Sequence, residues 1–206
     1  MEEKRVETFT GFMNFKINHP ESLSRGILLL KTFLGWLYIG IPHGIILGLM
    51  EVGVGVVTFI AWWAILFTGK YPEGMYNFVE GYYRWALRVG AYMGLLTDDM
   101  PPYSMDPKET SPVTFKLTYP ESLSRGKVIL KVLLGWLYVG IPHGIVLGLY
   151  GILVSIISFI AWWAILFTGK YPKGMFELVE GYIRWSLRVM LYLGLMTDEY
   201  PPFSKE

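Results

Sequence analysis

The sequence has no cysteine, which excludes disulfides, thiolate metal sites and a cysteine nucleophile. It has almost no charge imbalance either: 18 basic and 17 acidic residues leave a net charge of +1, so nothing electrostatic points to nucleic acid as a partner. A Gly-rich phosphate loop, a His-x-x-x-His pair and a Gly-x-Ser-x-Gly elbow are all missing. No catalytic residue, metal ligand set or cofactor is therefore expected. The first fourteen residues are polar and charged, unlike a secretory signal peptide. Apolar residues, by contrast, make up 53% of the chain and aromatic ones 17%. Partners must be argued from that apolar surface, and the lipid bilayer is the first of them.

The chain is a tandem duplication. Of the 86 positions from 15 to 100, 56 recur unchanged 100 residues later, and the identity is unbroken from Phe59 to Tyr71. The organisation reads as a polar tail (1–14), a first repeat (15–104), a linker (105–112) and a second repeat (113–206). Two copies at so long a period do not make a solenoid.

Each repeat begins with a stretch of period two. Val113, Phe115, Leu117 and Tyr119 alternate with Thr114, Lys116 and Thr118, which predicts a short surface strand; Met13, Phe15 and Ile17 are the weaker counterpart. Ser22 or Ser24 then N-caps a helix. The apolar run from Ile27 to Phe67, broken only by Lys31 and Glu51, is too long for one membrane span, since ~30 Å of hydrocarbon takes about 20 residues. It predicts a two-helix membrane hairpin with spans near 26–49 and 53–67 and a turn at the divergent Glu51. Pro42 either kinks the first helix or divides an interfacial piece from a deeper one. Two spans per repeat make the repeats parallel about the membrane normal; one span would invert them. The preferred fold is thus mainly α and multi-pass, with both termini cytoplasmic by the positive-inside tendency and Trp62, Trp63 and Tyr71 in an aromatic belt.

Beyond Pro72 the pattern changes to an amphipathic helix. Glu73, Asn77, Glu80, Arg84 and Arg88 form one stripe, repeated as Lys173, Glu177, Glu180, Arg184 and Arg188, which predicts a wetted interfacial face. Internal ion pairing, Glu80 with Arg84, is the competing use of the same residues.

Several motifs together are similar to a known family. They are Ile41-Pro42-His43, the stretch from Trp62 through Ile-Leu-Phe-Thr-Gly-Lys-Tyr-Pro, Arg84-Trp85 with Arg88-Val89, and the closing Thr-Asp-x-x-Pro-Pro-aromatic-Ser. The chain resembles the prokaryotic membrane family known as domain of unknown function 4389, through both repeats. The resemblance implies a membrane-bound protein and carries no activity, so no catalytic residue follows from it.

Candidate functional residues fall into two sets. His43 and His143, each after a helix-distorting proline (Pro42, Pro142) in an apolar run, are candidates for a pore or polar site. The competing use is to bond carbonyls freed by the proline, and one His per repeat is too few for a metal. Arg25, Lys31, Lys70, Arg84, Arg88 and their copies Arg125, Lys131, Lys170, Arg184, Arg188 are candidates for headgroup or partner contact. The function expected is a non-catalytic membrane scaffold or accessory subunit, as a homo-oligomer or in a larger membrane complex, with strands such as Thr114–Tyr119 extending a neighbour's sheet. The alternative is a channel or transporter with its pathway near the two histidines; a membrane-interface enzyme is the remote third reading.

Overall fold

The computed structural model describes residues 11–205, so most of the predicted polar tail lies outside the described residues. The chain is mainly helical, with the strands paired in one small sheet. In order it forms β1 (Met13–Ile17), α1 (Arg25–Gly35), a π-helical turn (Trp36–Gly40), α2 (Ile41–Thr68) and α3 (Glu73–Met93). The second repeat supplies β2 (Val113–Leu117), α4 (Arg125–Gly135), a second π turn (Trp136–Gly140), α5 (Ile141–Thr168) and α6 (Lys173–Leu193). Both predicted strands exist, and Ser24 and Ser124 are the N-caps, each hydroxyl accepting the backbone N–H three residues on at 3.4 Å.

The predicted hairpin does not form. The helix runs without a break through Glu51, and α1, the π turn and α2 make one continuous helix of 44 residues, Arg25–Thr68, matched by Arg125–Thr168. At 1.5 Å per residue each is about 66 Å long. Nothing around Glu51 stops a helix: the region holds no Pro, Asn or Asp, and an exposed apolar helix keeps its backbone bonded to itself. Part of the divergence at 50–58 is the exchange of exposed apolar residues, as in Val52/Ile152 and Val56/Ile156, beside the changes Glu51/Gly151 and Gly55/Ser155. Glu51 itself sits beside α3: burial first, and then the charge of Glu51, raise the pKa of Tyr82.

Pro42 and Pro142 are absorbed without ending the helix. Each π turn widens the backbone just before the proline, so the N–H of Ile41 reaches back five residues to the Trp36 carbonyl. In the second repeat the carbonyl of Tyr138, which Pro142 cannot serve, accepts the Tyr200 hydroxyl at 3.4 Å. The helix ends at Gly69 and Gly169, whose φ of +74° and +72° supply left-handed caps.

The long helices of the two repeats run antiparallel and bond at both ends of the pair, not as the parallel repeats that two spans each would give. Leu23 N–H donates to Gly169 O at 2.7 Å, and Leu123 N–H to Gly69 O at 2.7 Å. Arg25 and Arg125 each donate to the last turn of the opposite helix, at Phe167 O (2.8 Å) and Phe67 O (3.0 Å). Such contacts recur with the repeats exchanged, and β1 pairs antiparallel with β2 about Phe15↔Phe115, so a two-fold relation passes through the sheet.

The molecule is layered. Phe78, Trp85 and Tyr92, seven residues apart, turn one face of α3 toward the long helix, against Gly53, His43 and Tyr38. Glu80, Arg84 and Arg88 turn another face toward β2 and the linker. The sheet's inner residues Phe15, Ile17, Val113, Phe115 and Leu117 enter the core, while Lys16, Thr114 and Lys116 face outward. Nearly all the exposed large apolar side chains sit on the two long helices; the exceptions are Met100, Tyr103, Met190, Tyr200 and Phe203.

Candidate functional site: a polar network between the repeats

The polar stripe of α3 is an internal fastening from Glu80 onward, not a wetted face; only Glu73 and Asn77 at its start are exposed. Glu80, Arg84 and Arg88 are buried. The Arg84 guanidinium is spent in three directions: on the Glu80 carboxylate, on Phe115 O at 3.1 Å and on Met105 O at 2.7 Å. Glu80 in turn accepts the Leu117 N–H at 3.3 Å. One i,i+4 pair thus serves the outer edge of β2 as a further strand would, offering an acceptor to an N–H and a donor to a C=O. Arg88 holds the linker by Ser104 O (3.3 Å) and Asp106 O (2.8 Å). Its pKa is lowered by desolvation, further by Arg84, against the pull of Asp106.

The second repeat returns the arrangement onto the first. Glu180 accepts the Ile17 N–H at 3.0 Å, and Arg184 bonds Glu180 (2.9 Å), Phe15 O (3.3 Å) and Lys205 O (3.1 Å). Arg188 holds Ser204 O at 3.3 Å. Each repeat therefore closes the strand edge of the other. These edges are occupied, which removes the expected extension of a neighbour's sheet by Thr114–Tyr119. Gly81 and Gly181 let the following loops lie this close, since a Cβ there would stand 2.9 Å from Met105 Cβ and 2.8 Å from Lys205 Cβ. A groove of about 540 Å³ opens beside the network, lined among others by Arg88, Lys108, Glu109 and Lys116.

Lys31 and Lys131, expected at headgroups, are turned inward. Lys31 Nζ donates to Thr97 O (2.6 Å) and Asp98 (2.8 Å) and lies 4.0 Å from the Tyr92 ring centre. Asp98 also accepts the Ser24 N–H at 2.6 Å, tying the closing loop to the start of the long helix, where its charge suits the helix dipole. Lys131, Thr197, Asp198 and Ser124 repeat these bonds. The identical Thr-Asp in both repeats was the available signal; its partner 67 residues upstream was not.

His43 and His143 are fully buried. Each Nδ1 accepts the indole N–H of Trp85 or Trp185 at 3.0 Å, fixing the neutral ring, and each ring stacks on Tyr103 or Phe203 at about 4 Å. They bond an indole, not the carbonyls freed by proline. Tyr71, expected in an interfacial belt, is buried against Tyr76, whereas Trp63 is exposed and Trp62 half-buried. Arg25, Arg125, Lys70 and Lys170 remain exposed at the ends of the long-helix pair. Among the described residues no group of three or more His, Asp or Glu comes together that could hold a metal ion.

The model of a family described as a domain of unknown function (DUF4389) matches the chain twice, over residues 30–104 and 130–205. No curated protein and no solved structure matches it. The two helices Arg25–Thr68 and Arg125–Thr168 are long and apolar enough to cross a membrane.

Proposed function

Because the chain belongs to the DUF4389 family, whose description assigns no activity, we propose its role from geometry: a non-catalytic membrane protein that presents a polar scaffold at the bilayer. One observation carries this reading. The exposed apolar surface is concentrated on the long-helix pair, while the buried charges that a catalytic site would need are used up in joining the two repeats and in tying each closing loop to its own long helix. Exposed apolar area on this scale needs a covering partner, and lipid is the partner that fits a helix apolar along its whole length. The scaffold role then rests on what remains at the polar side, a rigid sheet and loops held at fixed depth for other subunits or copies.

The channel reading finds less support, since His43 and His143 are sealed beneath Trp85, Tyr103 and their counterparts. The test has two parts. The protein should stay with membranes after an alkaline carbonate wash and float with liposomes; recovery in the aqueous fraction would remove membrane embedding. Mass measurement in lipid nanodiscs should then show more than one copy; single copies throughout would remove the self-associating scaffold.

A further inference from the structure

We propose that the two long helices lie lengthwise in one leaflet, parallel to the membrane plane, with the sheet and closing loops in water on the same side. This goes further than membrane embedding and rests on it.

Length comes first. A span needs about 20 residues for ~30 Å of hydrocarbon, yet the helix is 44 residues long and apolar almost throughout. Between Ile27 and Phe67 the exposed positions are all apolar or glycine except Thr32 and Glu51; between Val128 and Phe167 the exception is Ser155. The Thr32 and Ser155 hydroxyls donate to carbonyls four residues back, at 2.8 and 2.9 Å, so neither brings an unsatisfied group into lipid. Roughly 60 Å of apolar helix fits along a leaflet and not across a bilayer, where each end would carry about 15 Å of bare apolar surface beyond the hydrocarbon.

Symmetry comes second. The two-fold relation passes through Phe15↔Phe115 and between the antiparallel helices. If the helices stood across the membrane, that axis would lie in its plane and the sheet would sit at mid-depth. Lys16 and Lys116, both exposed on the sheet's outer face, would then be in hydrocarbon, where an unpaired charge is strongly disfavoured. With the axis along the membrane normal, the same layers place the apolar helices in lipid, α3 and α6 above them and the sheet in water. Arg25 and Lys170 then mark one end of the pair, Arg125 and Lys70 the other, all at headgroup level with Trp63 and Trp163 beside them.

The absence of cysteine makes the test direct. Lys70→Cys, Lys170→Cys and Glu51→Cys, all at exposed positions, are each treated with a membrane-impermeant maleimide in intact spheroplasts and in inverted vesicles of the expressing cells. Lys70→Cys and Lys170→Cys should label from one and the same side and be silent from the other. Glu51→Cys should never label from the opposite side, and Leu49→Cys should label only after detergent. Lys70→Cys and Lys170→Cys reacting from opposite sides would establish spanning helices and overturn the proposal. Glu51→Cys reacting from the side opposite Lys70→Cys would overturn it in favour of a hairpin. Release by carbonate would instead sink membrane embedding, independently of these outcomes.

Discussion

Arg84, on α3 of the first repeat, donates its Nε–H to the carbonyl of Phe115 in the strand of the second, 3.1 Å away. The reciprocal bond runs from Arg184 to Phe15 O at 3.3 Å. The duplication is thus interlocked, not merely strung together: neither repeat closes its own strand edge. Internal ion pairing and a structured repeat boundary are one feature.

Arg84→Ala leaves the Glu80 carboxylate buried without its countercharge and strips donors from Phe115 O and Met105 O. Removing one partner of a buried pair costs about 3–5 kcal/mol. Arg184 is more exposed, its side chain at 24% against 11% for Arg84, so Arg184→Ala should cost less, roughly 1–3 kcal/mol. Denaturant unfolding in detergent, followed by near-ultraviolet circular dichroism, ranks the two; equal losses would show that burial does not set the cost.

Asp98→Ala removes the carboxylate that serves both Lys31 Nζ and the Ser24 N–H. With the ammonium 2% exposed on its side chain, the loss should be about 3 kcal/mol. Lys31→Met with Asp98→Ala removes both charges and should recover part of it. A double mutant no more stable than Asp98→Ala alone would mean that the pair is not the coupled unit.

Trp162 and Trp62 differ in a way that the repeat makes testable. Trp162 Nε1–H donates to the Thr32 hydroxyl at 2.8 Å, whereas the buried Trp62 Nε1–H has no hydrogen-bond partner. Val132 stands where Thr32 does in the other repeat. Val132→Thr should supply the acceptor and stabilise the protein by about 1 kcal/mol, raising the melting temperature. Thr32→Val should lower it by a similar amount.

Much of this was legible in sequence, for physical reasons that differ by element. The strands showed in a period of two because one face of the sheet is wet: Lys16, Thr114 and Lys116 point out while Phe115 and Leu117 point in. The serine cap and the start of α3 just after Pro72 followed from local chemistry. What failed was inference from an assumed environment. A run too long for one span reads as two helices with a turn between them, but no residue near Glu51 asks for a turn and the helix continues to Thr68. The stripe Glu80-Arg84-Arg88 shows that polar groups share a face; what covers that face is the other repeat's strand, more than 25 residues away in sequence. Asp98 was visible as a repeated Thr-Asp, but its tie to Lys31 depends on α3 returning along the long helix.

The central claim is that the long helices lie along the membrane, and polarised infrared spectroscopy of the protein in aligned bilayers tests it most directly. Because α3 returns along α2, the helices should lie together, and the amide I dichroism should place their axes in the membrane plane. Dichroism that places the helix axes along the membrane normal would contradict it.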